Sequence, residues 1–243
     1  MTFLCNKCAG RGLVIHNGIA EPCTCVKQRA INNKIKAAQI PPRLTHITFN
    51  RFQLDHYSRT KIDPVKSISY RDSASVTLKA ARDFTQNYMK NPHTDGLLLT
   101  GQVGSGKTFL ACCIANALLE QGKTLLFIVV PDLLDQIKAT YDTKNQNNVT
   151  ELELLETARE VPLLILDDLG AHNYTDWTRN IIFGIINYRL NYLLPTVITT
   201  NINLEDLEQF LGERTTSRIF QMCRPYRLLV DLDIRMQMVR QGR

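Results

Sequence analysis

From residue 97 onward, short unbroken apolar runs alternate with stretches whose apolar positions recur at helical spacing. The runs fall at 97–100, 124–130, 163–166, 196–200 and 227–230, and each reads as a strand buried on both faces. Between them the periodicity predicts helices over 107–121, from Pro131 onward, over 151–159, over 176–194, and near 204–211 and 213–222. Gly122 closes the first of these, Pro131 suits a first helical turn, and Pro195 ends the long one. Strands alternating with helices predict an α/β fold around a five-stranded parallel sheet covered on both faces.

Upstream the pattern changes. Val76, Ala80, Phe84 and Tyr88 predict a helix over 73–89, while 43–68 is irregular, with Ile47, Phe49 and Phe52 expected to anchor it on the sheet domain. Val14-Ile15 and Gly18-Ile19 suggest a small hairpin turning at Asn17-Gly18. Residues 26–39 set Lys27, Arg29, Lys34 and Lys36 around Ile31, Ile35 and Ala38, the pattern of a basic amphipathic helix, and Ile40-Pro41-Pro42 stops it. The expected division is therefore 1–42, a small head with its linker, and 43–243, the sheet domain. Only 13 residues follow Val230, so neither a further domain nor a helical lid is expected there.

Four of the seven cysteines lie in the head, as Cys5-x-x-Cys8 and Cys23-x-Cys25. Two thiolate pairs across a short loop suit a tetrahedral, structural Zn²⁺ site, with His16 as an alternative ligand. The formal charge is +6, which fits a nucleic-acid partner as well as simple solubility. No apolar run approaches the ~20 residues of a membrane span, and the first residues lack a signal-peptide pattern, so no membrane partner and a cytoplasmic location are expected.

The most specific chemistry follows the first sheet strand. Gly101-Gln102-Val103-Gly104-Ser105-Gly106-Lys107-Thr108 fits G-x-x-x-x-G-K-[ST] between a strand and a helix that continues through Phe109. Glycines let backbone N–H groups close on phosphate oxygens, and the helix N-terminus adds its positive dipole end. Lys107 is the charge for the terminal phosphates of ATP, and the Thr108 hydroxyl is a Mg²⁺ ligand. A second strand ends in Asp167-Asp168, carboxylates facing the crevice where α/β folds bind ligands. Asp167 is expected to organise Mg²⁺ and Asp168 to polarise the attacking water. Thr199-Thr200-Asn201 ends a third strand with an amide able to bond the γ-phosphate and that water. Arg214 and Arg218 share one helix face, from which a guanidinium can serve a neighbouring subunit's phosphates.

The glycine loop, Leu166-Asp167-Asp168-Leu169-Gly170, Thr-Thr-Asn and Leu211-Gly212-Glu213-Arg214-x-x-x-Arg218 together resemble the DnaC/DnaI-type replicative helicase loaders over about residues 43–243. These are AAA+ P-loop NTPases, with the IstB transposition ATPases as close relatives. The cysteine-rich start looks like the zinc-binding heads of some phage and Gram-positive loaders. The resemblance implies an ATPase that forms an open spiral homo-oligomer on single-stranded DNA and grips a hexameric DnaB-type helicase. By motif position Asn201 resembles sensor 1, Arg218 the arginine finger and Arg235 sensor 2. It places single-strand contacts at Lys138 with Tyr141 and at Thr175 with Trp177, a cation beside aromatic faces. Asp168 stands where many AAA+ enzymes carry Glu, so hydrolysis is expected to be slow and stimulated by DNA. Without a lid, a protomer is expected to need its neighbour to complete the nucleotide site. The rival reading is an IstB-like transposition helper acting on duplex DNA and a transposase; the specialised head favours a loader. A small-molecule P-loop kinase fits less well beside the acidic pair and the paired arginines.

Overall fold

A computed structural model describes residues 5–8, 11–16, 19–141, 150–170 and 175–240. The loop expected over 142–148 and the turn at Asn17-Gly18 lie outside the described residues, as do the side chains of His16, Lys27 and Arg29.

The head is an antiparallel pair, β1 (Leu13–His16) with β2 (Ile19–Pro22), followed by helix α1 (Thr24–Ala37). Three short 3-10 turns at Pro42–Leu44, Phe49–Arg51 and Leu54–His56 lead to α2 (Tyr70–Lys90). That helix begins earlier than periodicity indicates because Ser69 caps it, its Oγ accepting from the Asp72 backbone N–H at 3.0 Å.

The sheet domain then runs β3 (Gly96–Thr100), α3 (Lys107–Glu120), β4 (Leu126–Val129), α4 (Val130–Thr140), α5 (Glu151–Glu160), β5 (Leu164–Leu169), α6 (Asp176–Asn191) and β6 (Thr196–Thr200). It closes with α7 (Leu207–Leu211), α8 (Glu213–Met222), β7 (Cys223–Arg227) and α9 (Ile234–Arg240). The five strands are parallel in the order β4-β5-β6-β3-β7, as the alternation of runs predicts. The two-residue period sorts each strand between two cores. Leu97, Leu99, Phe127, Ile165 and Val197 pack with α2 and α3 on one face. Leu98, Leu126, Ile128, Leu164, Leu166 and Ile198 pack with α4, α5, α6 and α8 on the other. Ala38 and Ile40, just beyond α1, are buried in the first core, and the Phe127 N–H donates to the Ala38 carbonyl at 2.8 Å.

The last strand differs from expectation. Apolar 227–230 suggests it, yet the strand is Cys223–Arg227 and follows α8 directly. An edge strand pairs on one side only, so it tolerates Arg224 and Pro225, whose missing N–H would break a central ladder. Leu228, Leu229 and Val230 are buried, but as a cover on the end of β3: Leu228 N–H donates to the Thr100 carbonyl at 2.8 Å and Val230 N–H to Gln102 Oε1 at 3.1 Å.

One fully buried cation ties three elements together. Arg189 of α6 is 0% exposed, and burial lowers its pKa to about 9. Its Nε donates to Thr196 Oγ1 at 2.9 Å and its Nη2 to the Pro195 carbonyl at 2.7 Å. Its Nη1 reaches the carbonyls of Ala158, Arg159 and Val161 at 3.2, 3.0 and 2.8 Å, serving the end of α5 that has no helical partner of its own. Arg189→Met, which orphans these acceptors, is expected to lower the unfolding free energy by about 2–4 kcal/mol. Arg189→Lys, with three donors in place of the fork, should recover only part of it. Chemical denaturation measures both, and a neutral Arg189→Met would contradict this account.

Candidate functional site

The strand order places the ends of β5, β6 and β3 side by side, so residues distant in sequence meet at one crevice. The loop after β3 is held in a shape only glycine adopts freely. Gly104 and Gly106 have φ of 71° and 94°, and a Cβ on Gly104 would fall 2.0 Å from the Asp233 carboxyl carbon. Tyr57, from the irregular segment, donates its hydroxyl to the Ser105 carbonyl at 2.7 Å.

Lys107 opens α3 with a buried side chain. Its Nζ donates to the Gly101 and Gln102 carbonyls, both at 2.8 Å, and to Asn201 Oδ1 at 2.6 Å. Asn201 in turn donates from Nδ2 to Asp168 Oδ1 at 2.9 Å. Asp167 is buried and accepts from neutral hydroxyls alone among its hydrogen bonds here: Thr108 at 2.9 Å and Thr199 at 2.7 Å to Oδ1. Burial raises its pKa, the two hydroxyls pulling it back. A buried carboxylate beside a threonine hydroxyl, with no cation bonded to it among the described residues, fits a divalent ion, and Thr108 and Asp167 are the residues that could hold Mg²⁺. Asp168 has φ 61° at an irregularity in β5 pairing between Leu166 and Leu169, which turns it out of the strand's alternation.

Lys107, Thr108, Asp168 and Asn201 border a cavity of about 700 Å³. Val103 to Phe109, Asp168, Asn201 and Arg235 line it, as sequence reasoning expects of a nucleotide site. The far wall was not legible: Leu44, Ile47, Phe52 and Tyr57 come from the segment read only as an anchor, and Ile234 and Met238 from α9. No motif marks them; the one signal was the spacing of large apolar residues in an irregular stretch. Short α9 covers this side, its Ile234 N–H donating to the Gly104 carbonyl at 3.1 Å. Arg235 lies at the cavity, paired with Asp233 at 2.7 Å.

Arg218 is not among the cavity's residues. It sits on α8 with its guanidinium 5.5 Å from the Phe183 ring centre, and Arg214 on the same helix is exposed. A third group gathers apart from both. Lys138 Nζ lies 5.7 Å from the Trp177 ring centre, and Tyr141 packs edge-on to Trp177 at 6.3 Å and is 56% exposed. Thr175 caps α6, its Oγ1 accepting from the Thr178 N–H at 3.3 Å.

In the head, the Sγ atoms of Cys5, Cys8, Cys23 and Cys25 all lie within 4.8 Å of one another, with Cys5–Cys23 at 3.8 Å and Cys8–Cys25 at 3.4 Å. A tetrahedral ion with Zn–S of about 2.3 Å sets sulfurs about 3.8 Å apart, so the donor set fits. Backbone N–H groups of Lys7 and Cys8 lower the Cys5 pKa, favouring the thiolate a metal needs.

Comparison with known proteins agrees with this geometry. Residues 19–221 match the family described as IstB-like ATP binding protein. Over 142 residues the chain is 32% identical to the replicative helicase loader DnaC of Escherichia coli (strain K12), covering 58% of this chain and 56% of the relative. It is 30% identical over 159 residues to the replicative helicase loader DnaI of Bacillus subtilis (strain 168), covering 60% and 50%. The chain thus spans about half the length of the curated relatives it matches. A crystal structure of the DnaC helicase loader superposes with a TM-score of 0.60 at 29% identity, covering 79% of this chain and all of that one. Among the described residues, no helix is long and apolar enough to cross a membrane.

Two measurements follow. Burial lowers the Lys107 pKa from 10.5 to about 8, so between those values the folded chain binds fewer protons than the unfolded one. The destabilising effect of this buried charge is full below about pH 8 and is relieved as pH rises through that window. A triphosphate restores the charged form, so ATP binding at about pH 8.5 should take up a proton fraction that vanishes near pH 6.5. Calorimetry in buffers of different ionisation enthalpy reads it, and no uptake at the higher pH would contradict the assignment. Cys25→Ser is expected to remove most of the zinc that purified protein carries, read by elemental analysis; zinc-free wild-type protein would refute the site.

Proposed function

The chain belongs to the IstB-like ATP-binding proteins, and on that premise we propose that it is an ATP-dependent loader of a hexameric DnaB-type replicative helicase onto single-stranded DNA. The observation that carries the reading is a division of labour. Phosphate loop, Asp168 and Asn201 converge on one cavity, with Asp167 bonded to Thr108 at its edge, while Arg218 and the Lys138–Tyr141–Trp177 group face elsewhere. An enzyme acting on a small substrate would gather its charged groups in one crevice. A site shared between subunits on a strand of DNA places them on separate faces.

ATP occupies the cavity with its phosphates at the glycine loop and Lys107. Thr108 and Asp167 would hold Mg²⁺, which would supply charge neutralisation to those phosphates. Asp168 orients and polarises the attacking water, and Asn201 bridges it to Lys107. Arg218 of one subunit completes the site of the next, so hydrolysis depends on assembly on DNA. Asp168 is a methylene shorter than glutamate, which supports slow turnover. Lys138 tracks phosphate while Tyr141 and Trp177 offer faces for bases, with Thr175 fixing the helix that carries Trp177. The cysteine head, bound to zinc, and basic α1 form the docking element for the helicase. The names of the similar proteins support a loader over a transposition helper.

Mixing the protein with a DnaB-type helicase, ATP and single-stranded DNA is expected to give a ternary complex and helicase-dependent unwinding. Arg218→Ala should retain ATP binding and lose about 10²-fold or more of the DNA-stimulated hydrolysis. Absence of helicase binding together with tight duplex binding would favour the transposition reading instead.

A further inference from the structure

The segment that walls the cavity is pinned from three sides. Asn116, buried in the middle of α3, donates from Nδ2 to the carbonyls of Leu44 and Ile47 at 2.8 and 2.9 Å. Arg71 Nη1 donates to the Leu54 carbonyl at 3.2 Å. Tyr57, only 3% exposed, closes the segment against the glycine loop through its bond to the Ser105 carbonyl. Its ring stacks on Phe52 with centres 5.5 Å apart, and Phe52 lies 6.1 Å from Phe109 at the start of α3.

This contact is built closely. Ser105 is fully buried, and a Cβ on the next residue, Gly106, would meet Tyr57 Oη at 2.9 Å and Phe52 Cε2 at 3.3 Å. The same two aromatic rings therefore face the cavity on one side and the loop on the other. A planar trans peptide forces the Gly106 N–H to point opposite to the Ser105 carbonyl. Holding that carbonyl on Tyr57 thus fixes the direction of an amide donor in the phosphate loop. Burial raises the phenol's pKa well above its ordinary value, so Tyr57 stays a donor.

We propose that Tyr57 is a positioning residue that couples the seating of an aromatic nucleobase against Phe52 to the shape of the loop that binds the phosphates. The proposal rests on the reading of this cavity as the ATP site and goes beyond it. A base packed on Phe52 restrains the stacked Tyr57 ring, which restrains the Ser105–Gly106 peptide. A triphosphate without a base leaves the ring unrestrained and gains less from the bond. Base and phosphates are then recognised as one unit.

The test compares ATP with inorganic tripolyphosphate as ligands for the wild-type chain, Tyr57→Phe and Phe52→Leu, with dissociation constants measured by calorimetry. Loss of one hydrogen bond of ordinary strength predicts that Tyr57→Phe binds ATP about five- to tenfold more weakly. Tripolyphosphate affinity should change by less than about twofold. Phe52→Leu, which keeps an apolar side chain and carries the test should Tyr57→Phe fail to fold, is expected to show the same selectivity, and the double variant to lose no more than the weaker single. Equal losses for the two ligands, or no loss for either, would overturn the coupling while leaving an ATP site. Wild-type protein that binds no ATP would overturn both the site and the proposal.

Discussion

A buried ammonium needs oxygen around it, and the arrangement of this nucleotide site follows from how Lys107 is supplied. Two loop carbonyls and the Asn201 amide oxygen surround its Nζ, yet burial still lowers its pKa to about 8. For the carbonyls to turn inward, the loop must curl through positive φ at Gly104 and Gly106. For Asn201 to reach it, β6 must lie beside β3, and β5 beside β6, which brings Asp167 and Asp168 to the same rim. Thus the strand order, the glycines and the acidic pair are consequences of one charge held away from water. On the proposed reading, the remaining deficit of negative charge is what a triphosphate would fill.

Other charges answer a different constraint. Arg189 is as buried as any residue in the protein, but its donors all end on internal oxygens, which makes it a strut between α5, α6 and β6. Arg218 rests over Phe183 away from the cavity, and Lys138 rests over Trp177. Arg218 keeps its cation on an aromatic face, and Lys138 does so beside a loose pairing with Asp135 at 3.9 Å. A cation–π contact holds a side chain in place without neutralising it, which suits the phosphate-binding roles proposed for both.

How much of this was legible in the sequence depends on whether a residue's role is local. The glycine loop, Asp167 and the four cysteines were legible because backbone shape or metal geometry demands particular residues at fixed spacing. The central strands were legible because burial on both faces leaves only apolar residues. β7 was not, since an edge strand with solvent on one side carries Arg224 and Pro225 and loses the apolar signature. The aromatic wall was not, because Phe52 and Tyr57 acquire their meaning from Ser105 and Gly106, about fifty residues on. Arg189 was also opaque: a helix periodicity registers an arginine as surface, and only the carbonyls gathered at the ends of α5 and α6 make its burial favourable.

The interior position of β3, between β6 and β7, has a consequence for the order in which the chain can fold. Its two neighbours in the sheet are β6 at 196–200 and β7 at 223–227, both about a hundred residues or more further along, whereas β4 and β5 can pair without it. Contacts of such long range close late. Until they do, Gly96–Thr100 is an apolar strand with two unpaired edges, open to pairing with another chain. The segment that presents the phosphate loop is therefore the one most in need of protection while the protein is being made.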